Sequence, residues 1–299
     1  MEFPLVSVGV PTFNRPVGLK KCLEHLLQQT YRNLEIIISD NCSTDPDVQR
    51  IIQDHVSKDK RVKHFRQPEN IGLENNFNFL YAASSAPYFI WMSDDDYFDA
   101  NYIEECVKFL ENNRDHILCS GTAKYVDGNK FLFAENMFAV DRGTPFKRLL
   151  QYFARVEKNA NFYGVFRNGL LSRKPLGNHV GCDWSFMAKL AVFGKLNFLN
   201  TTSYCRSATG NSGSRGAMVR KFRLNGFKTL FFETYSASVI SANIFNDAAV
   251  NKQIKWCKRK WAVVIIFFRI NWKLFFKFVK KSFKKKTGLK GPVFKNVKK

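Results

Sequence analysis

Four short apolar runs, rich in β-branched residues, alternate with amphipathic segments through the first third of the chain. The apolar runs are residues 5–10, 34–40, 62–65 and 88–93. The segments between them space their apolar residues as amphipathic helices do, and they are residues 17–29, 45–55 and 73–84. Repeated β-α-β units predict a parallel sheet with helices on both of its faces. We therefore expect an α/β fold for this part of the chain.

Polar residues follow three of these runs, at the points where the predicted strands end. They are the segment 11–15 (PTFNR), the pair Asp40–Asn41 and the run Asp94–Asp96. In parallel α/β sheets the ligand lies beyond the carboxyl ends of the strands, so we expect these residues to converge on one crevice. Neither G-x-G-x-x-G nor G-x-x-x-x-G-K-[ST] occurs in the chain, which argues against a Rossmann dinucleotide site or a P-loop.

Three consecutive aspartates, Asp94, Asp95 and Asp96, come directly after a buried run. Adjacent carboxylates are costly to bury unless a positive charge compensates them. A hard divalent cation, Mg²⁺ or Mn²⁺, prefers oxygen ligands and would supply that charge. The alternative is a solvated acidic turn that caps the next predicted helix, residues 101–113. The presence of Asp40 at a neighbouring strand end favours the metal site.

The positive charge of the chain is concentrated at its C-terminal end. Lys and Arg number 47 against 25 Asp and Glu, a formal net charge of +22. Residues 252–299 contain 17 of the basic residues and no acidic residue, so subtraction leaves +5 for residues 1–251. This distribution predicts a nearly neutral globular body followed by a strongly basic tail.

The segments VSVGVPTFNR, EIIISDNCSTD and ENIGLENNFNFLYAASSAPYFIWMSDDDYFDANYIE together resemble the family 2 glycosyltransferases of the GT-A fold. The resemblance covers residues 5–113 in order and spacing, and continues more weakly to about residue 210. It implies a Rossmann-like mixed sheet with a nucleotide-sugar-binding half and an acceptor-binding half. It also implies an inverting, metal-dependent transferase of the type that serves bacterial polysaccharide, O-antigen or capsule biosynthesis.

The resemblance also implies the roles of individual residues. It places nucleotide-sugar binding at Pro11, Thr12, Asn14, Arg15, Asp40, Asn41, Asn70, Asn76, Asp94 and Arg206. Asp40 would accept a hydrogen bond from the base, which is often uracil, so a UDP-sugar is the favoured donor. The metal-binding DXD motif corresponds to Asp94, Asp95 and Asp96, with Ser93 where the family often has its first aspartate, and the metal would be Mn²⁺ or Mg²⁺.

A carboxylate must take the proton of the attacking acceptor hydroxyl. In the family it usually opens a helix about 90 residues after the DXD motif, and Asp183 has that place here, preceded by Cys182 where Glu is frequent. The alternative role of Asp183 is a plain helix N-cap, and Asp141 and Glu157 are the other candidate bases. Arg206, in the Gly- and Ser-rich segment 205–216, either holds the diphosphate or is a solvated loop residue.

The basic tail has the pattern of a helix that lies in a membrane interface, with an apolar face beside a cationic one. Its basic face consists of Arg269, Lys273, Lys277, Lys280, Lys281 and Lys284. Its apolar face consists of Ile270, Leu274, Phe275, Phe278 and Val279, with Trp256, Trp261 and Trp272 nearby. We expect residues 252–299 to bind an anionic membrane surface and so to bring the site to a lipid-linked oligosaccharide. The alternatives are a helix packed on the body and, least favoured because of the aliphatic run 263–268, nucleic-acid binding.

The sequence further predicts four regions: 1–116 for the nucleotide sugar, 117–215 for acceptor and catalysis, 216–251 helical, and 252–299 for membrane association. Seven scattered cysteines without paired spacing predict reduced thiols. The absence of a signal-peptide pattern and of an apolar run of about 20 residues predicts a cytoplasmic protein, peripherally bound to the inner membrane. The alternatives in function are an inactive transferase-like protein that binds membrane or nucleic acid, a retaining transferase, and a sugar-nucleotide hydrolase.

Overall fold

The computed structural model describes residues 3–127, 130–207 and 215–287, with side chains of the last helix described as far as Trp272. Its strands are β1 (Val6–Thr12), β2 (Leu34–Asp40), β3 (Val62–Arg66), β4 (Tyr88–Trp91), β5 (Tyr97–Phe98), β6 (His116–Asp127), β7 (Lys130–Ala134), β8 (Val165–Arg167) and β9 (Lys195–Ser207). Its helices up to the middle of the chain are α1 (Pro16–Leu27), α2 (Pro46–Lys58), α3 (Leu73–Ala83), α4 (Tyr102–Asn112), α5 (Pro145–Arg155), a 3-10 helix (Ala160–Tyr163) and α6 (Cys182–Phe193). The C-terminal helices are α7 (Arg215–Lys221), α8 (Gly226–Leu230), α9 (Phe232–Phe245), α10 (Ala248–Gln253) and α11 (Trp256–Thr287).

All of these strands form one nine-stranded sheet in the order β3-β2-β1-β4-β8-β6-β9-β5, with β7 paired to β6. Strands β1 to β4 pair in parallel, as the β-α-β pattern predicts. Strand β8 runs antiparallel to both β4 and β6, whereas β6 and β9 are parallel. The predicted mixed α/β sheet is therefore confirmed, and its two halves meet at β8.

Strand β1 extends further than the sequence suggests, because it continues through Pro11 to Thr12. The Gly9 carbonyl oxygen accepts a hydrogen bond from the Met92 N–H, so the backbone polar groups of Gly9 face β4. Those of Pro11, two residues later in the strand, face the same side. The pairing of β1 with β4 stops at Gly9 and Trp91, so the missing N–H of Pro11 removes no hydrogen bond. The extension carries Thr12 to the edge where β2 ends.

Two apolar clusters cover the two faces of the sheet. On one face α1, α2 and α4 pack against the aliphatic side chains of β1 and β2. On the other face lie α3, α5, α6 and α9, around a Trp91 ring that stacks on Phe162 at 5.0 Å between centroids. Gly18 in α1 is required for close packing, since a Cβ there would lie 2.6 Å from the carbonyl oxygen of Asp94.

The segment 117–215, which has little regular pattern in the sequence, contains the two longest strands, β6 and β9. Residues 205–207 of the predicted loop 205–216 belong to β9, residues 215–216 begin α7, and those between lie outside the described residues. The helical pattern from 218 to 249 is divided among several helices. One division falls at Arg223 and Gly226, both of which have φ of +48°.

Helix α11 packs on α9 and α5 through Ala262, Ile266 and Ile270, which recur every four residues on one side. The assignment of Ile270 to a free apolar face is therefore wrong, because this residue is buried in the core of the body. The other residues of that predicted face have side chains beyond those described. Within the described chain, no helix combines the length and the apolar character that a membrane span requires.

Candidate active site

The ends of β1 and β4 meet through direct contacts between their polar residues. The Thr12 hydroxyl donates to Asp94 Oδ2 at 2.8 Å. The guanidinium of Arg15, the residue immediately before α1, donates to Asp95 Oδ2 at 2.7 Å and to Asp94 Oδ1 at 3.4 Å. These contacts place the first and the last of the predicted strand-end segments in one cluster, as the parallel topology requires.

Asp96 points the other way, towards β9. The Tyr204 hydroxyl donates to its Oδ2 at 2.9 Å, and the Ser207 backbone N–H donates to its Oδ1 at 3.0 Å. Arg206 lies 3.9 Å from the same carboxylate and is enclosed by the rings of Tyr125, Tyr163 and Tyr204. Arg206 is therefore a held, largely buried cation rather than a solvated loop residue.

Burial dominates the titration of two of the three aspartates. It raises the pKa of Asp94 to about 6, although the Thr12 hydroxyl and Arg15 favour the charged form. It raises the pKa of Asp96 to about 6 as well, against the attraction of Arg206. Two carboxylates with such pKa values lack sufficient positive charge nearby, so an added cation would stabilise their ionised forms.

Asp95 is the most open of the three, with 25% of its side chain exposed against 7% for Asp94 and 4% for Asp96. Asp96 points away from the other two aspartates. Within the described chain, no group of three His, Cys, Asp or Glu side chains is arranged to hold a metal ion. This arrangement suits a cation that takes one or two protein carboxylates and completes its shell with substrate oxygens, as Mg²⁺ does at phosphate sites.

The raised pKa of Asp96 has a consequence for stability. Between the pKa of an unfolded aspartate and about 6, the native state keeps a proton that the unfolded state has lost, so native stability falls as pH rises through this window. Asparagine does not titrate. We expect the difference in Tm, wild type minus Asp96→Asn, to grow as pH is lowered from about 7 to about 5. Thermal unfolding at closely spaced pH values checks this, and a pH-independent difference would contradict it.

The predicted nucleotide ligands near β2 hold one another in place. Asp40, at the end of β2, is fully buried and accepts hydrogen bonds from Gln49, from the Ser43 N–H at 2.9 Å and from Arg66 at 2.8 Å. Asn76 is also buried and bonds at both ends of its amide to Ser39. Both residues therefore shape the β2 end from within the protein.

The remaining strand-end asparagines are exposed Asn14 and Asn70 and buried Asn41. Exposed Asn14, at φ of +53°, accepts hydrogen bonds from the N–H groups of Thr44 and Asp45 and so fixes the loop that leads into α2. Asn41 donates to Asn70 Oδ1 at 2.9 Å, which ties the β2 end to the loop before α3. Pro11 is buried within β1.

Asp183 lies in the first turn of α6, as the sequence predicts. Burial raises its pKa, although a hydrogen bond from Asn159 Nδ2 at 2.9 Å and the charge of Arg206 favour ionisation. Asp183 thus shares Arg206 as an electrostatic neighbour with Asp96. The alternative bases lie differently: exposed Asp141 binds Gln151 at 2.8 Å, and Glu157 is exposed after α5.

Sequence reasoning missed several residues of this site, because their roles depend on contacts across distant segments. Tyr204 reaches Asp96, Asn159 reaches Asp183, and Glu74 forms an ion pair with Lys221 at 2.5 Å. The sulfur of Cys182 lies 4.0 Å from the same Glu74 carboxylate. The sequence signal that points to this region is the aromatic segment 162–164, because its Tyr163 ring lies beside Arg206.

The amino-acid sequence matches the family model described as Glycosyl transferase family 2 over residues 7–179, which is more than half of the chain. An uncharacterized glycosyltransferase of Haemophilus influenzae is 37% identical over 120 residues, which cover 40% of this chain and 36% of the relative. For a second relative from the same organism the matched region covers 61% of that protein. The chain thus spans only part of the length of these curated relatives.

Solved structures resemble most of the fold. Staphylococcus aureus TarS 1–349, in complex with UDP-GlcNAc, has a TM-score of 0.63 at 17% identity and covers 88% of this chain and 72% of that one. The mannosyltransferase PcManGT of Pyrobaculum calidifontis, in complex with GDP-Man and Mn²⁺, has a TM-score of 0.54 at 14% identity, covering 90% and 86%. Because the identities are only 17% and 14%, the resemblance concerns the fold alone, and it confirms the predicted GT-A fold.

Proposed function

The chain belongs to glycosyltransferase family 2, and we propose that it transfers a sugar from a nucleotide-sugar donor to a glycan or lipid-linked oligosaccharide acceptor, with inversion at the anomeric carbon. The observation that carries this proposal is the cluster at the strand ends, where Asp94 and Asp95 meet Arg15, and Asp96 meets Arg206. The three acidic side chains have the charge that a metal ion needs, and the two basic side chains have the charge that a diphosphate group needs. A UDP-sugar is the favoured donor, and a bacterial surface polysaccharide is the favoured product.

We assign the donor to the crevice beside Thr12, Arg15, Asn41 and Asn70. Breaking the bond between the sugar and the nucleoside diphosphate develops negative charge on the leaving phosphate, and we assign Arg15 and Arg206 to stabilise that charge. Asp40 and Asn76 are buried, and the Asp40 carboxylate already accepts hydrogen bonds from within the protein, so their contribution to the nucleotide pocket is to hold the β2 end.

The aspartates fit a divalent cation, Mn²⁺ or Mg²⁺. Asp95 is the first candidate ligand because it is the most open, and Asp94 and Asp96 are the second candidates because a cation would relieve their raised pKa values. When bound, such an ion supplies charge stabilisation to the departing diphosphate without a proton donor.

We assign the general base to Asp183. The acceptor hydroxyl attacks the anomeric carbon on the side opposite to the leaving phosphate, and its proton passes to the Asp183 carboxylate. The pKa of Asp183 is raised towards neutral pH, so its carboxylate is a stronger proton acceptor than that of an ordinary aspartate. Opposite-face attack by an acceptor inverts the anomeric configuration, which separates this reaction from a retaining one.

Donor consumption tests the proposal. The protein is incubated with UDP-, GDP-, dTDP- and CMP-sugars, with and without Mn²⁺, and with mono-, oligo- and lipid-linked saccharides as acceptors. We expect release of one nucleotide that requires the metal, is accelerated by an acceptor, and gives a product of inverted configuration by NMR. Release without an acceptor indicates a hydrolase, a retained configuration overturns inversion, and no release from any donor indicates an inactive binding protein.

We further propose that α11 docks the enzyme on an anionic membrane at the cytoplasmic face. Trp261, Val264, Phe268 and Trp272 recur every three or four residues and are exposed, on the side opposite to the buried Ala262, Ile266 and Ile270. The helix thus has one apolar stripe for the body and a second for a partner. The surrounding Lys and Arg residues favour a bilayer of anionic lipid as that partner.

Replacing the exposed tryptophans tests the docking without removing the part of α11 that packs on the body. Trp261 and Trp272 are 67% and 66% exposed, so Trp→Ser changes at both should leave the fold intact. We expect the double variant to bind phosphatidylglycerol-containing vesicles at least about tenfold more weakly in co-sedimentation, because large apolar groups no longer enter the interface. Phe131→Ser, at an exposed residue of β7, is the control, and unchanged binding by the double variant would overturn the docking.

A further inference from the structure

Asn159 lies between the proposed base and the core of the protein. It is buried, stands immediately before the 3-10 helix, and has φ of +66°, a left-handed conformation that asparagine adopts more readily than most residues. Its Nδ2 group donates to Asp183 Oδ2 at 2.9 Å. Its Oδ1 atom accepts a hydrogen bond from the Tyr152 hydroxyl at 2.8 Å.

The chemistry of these three groups fixes the direction of each hydrogen bond. An ionised carboxylate can only accept, so the amide of Asn159 must present its NH₂ group to Asp183. The amide oxygen then faces Tyr152, whose hydroxyl donates to it. Burial raises the pKa of Tyr152 well above its ordinary value, so this side chain remains a neutral donor throughout the physiological range.

We propose that Asn159 is a positioning residue for the general base, held by Tyr152, and that it engages Oδ2 of Asp183 so that Oδ1 receives the proton of the acceptor. The proposal rests on the function assigned to Asp183 above. The hydrogen bond has a second effect, since it favours the charged carboxylate and partly offsets its burial. Asn159 therefore orients the base and, together with the backbone N–H groups of Asp183 and Trp184, favours its ionised form.

The neighbours of Asp183 include several groups that titrate or carry charge. They are Tyr152 of α5, Tyr163 of the 3-10 helix, His179 before α6, Cys182 of α6 and Arg206 of β9. Charged groups that lie next to these neighbours are Glu74 of α3, Glu135 after β7 and Lys221 of α7. Of these, Glu135 also touches the same segment, because its Oε1 atom accepts a hydrogen bond from the Ala160 N–H. The side-chain hydrogen bond to Asp183 comes from Asn159, which does not titrate, and the compensating positive charge comes from Arg206.

Direct titration of Asp183 tests the proposal without a substrate. The protein is labelled with ¹³C at the aspartate side-chain carboxyl, and the Asp183 signal is assigned from the spectrum of Asp183→Asn. Asn159→Asp replaces the donor by a carboxylate of the same shape, and Asn159→Gly removes the amide while keeping the left-handed backbone. We expect the pKa of Asp183 to rise by at least about one unit in Asn159→Asp and by a smaller amount in Asn159→Gly.

Asn161→Asp is the matched control, because Asn161 is a buried asparagine two residues further along, inside the 3-10 helix, and donates to the Phe138 carbonyl oxygen instead. We expect it to lower Tm without moving the pKa of Asp183. An unchanged pKa in both Asn159 variants, or an equal shift in Asn161→Asp, overturns the positioning role. If activity is found, the acidic limb of its pH profile should move with the pKa. A shifted pKa in a protein that consumes no donor supports the positioning role and refutes the proposed function.

Discussion

Asp183→Asn is expected to reduce kcat for sugar transfer by about 10²–10⁴-fold, the usual contribution of a general base. The amide has nearly the same shape and still accepts a hydrogen bond from Asn159, but it does not take the proton of the acceptor hydroxyl. Binding of the donor should change little, because the predicted donor ligands lie at the ends of β1, β2 and β4. Steady-state kinetics with the donor identified by nucleotide release, together with Kd for that donor, separate the two effects.

Asp141→Asn is the matched control for this experiment, since Asp141 is the other aspartate that the sequence offers as a base. It is exposed and binds Gln151, so its replacement should leave kcat within about twofold of the wild type. The opposite pattern, with Asp141→Asn inactive and Asp183→Asn active, would identify Asp141 as the base and contradict the assignment of Asp183. Loss of donor binding in Asp183→Asn would show that this residue acts in the nucleotide site.

Asp95→Asn is expected to abolish the metal dependence of donor binding and to reduce transfer by about a thousandfold. A divalent ion is worth several kcal/mol to a departing diphosphate, and each 1.4 kcal/mol corresponds to about tenfold in rate. Asp95 is the most open carboxylate of the cluster, so it is the one best placed to reach an ion shared with the phosphates. Titration of Mn²⁺ in the presence of the nucleotide, followed by calorimetry, measures the loss.

Two comparisons make this result specific to the cluster. Asp115→Asn removes an exposed carboxylate that pairs with Lys195 and His116 beside the start of β6, and it should bind Mn²⁺ and nucleotide as the wild type does. Ser93→Ala removes the hydroxyl that donates to Asp95 at 2.6 Å but leaves the carboxylate, so a small loss is expected. Full Mn²⁺-dependent binding by Asp95→Asn would contradict the assignment of Asp95 as the metal ligand and would leave Asp94 and Asp96 as the candidates.

Much of the N-terminal part of the fold was predictable because its signals are local. Apolar runs that end in polar residues identified β1, β2 and β4, and parallel topology then brought Thr12 next to Asp94. The place of Asp183 in the first turn of α6 was predictable from the sequence, and its role as the base stays a prediction. The side-chain capping of α2 by Asp45 also follows from the sequence, since aspartate is a preferred residue at that position.

The rest of the site depends on contacts that leave no periodic signal. Tyr204 and Asp96 are separated by 108 residues, and Asn159 and Asp183 by 24, so neither hydrogen bond is visible in a local pattern. Long-range pairing likewise organises β6 and β9, whose small and polar residues show no clean alternation. In these segments tertiary contacts, rather than intrinsic propensity, decide the structure.

The C-terminal helix shows a different limit. Periodicity predicted an amphipathic helix, and a helix is present from Trp256 to Thr287. It placed Ile270 on the free face, however, because a helix with two apolar stripes has no sequence signal for which stripe meets the body. The structure assigns the Ile266–Ile270 stripe to the core and leaves the tryptophans outside.

Thermal unfolding with UDP, GDP, dTDP and CMP, each with and without Mn²⁺, tests the central claim most directly. A ligand at 100 times its Kd stabilises a protein by about 2.7 kcal/mol, which is easily measured. We expect one nucleotide, UDP first, to raise Tm in the wild type only when Mn²⁺ is present, and to do so weakly or not at all in Asp95→Asn. If none of the four nucleotides raises Tm under either condition, the strand-end cluster does not bind a nucleotide-sugar donor and the proposed transfer reaction is wrong.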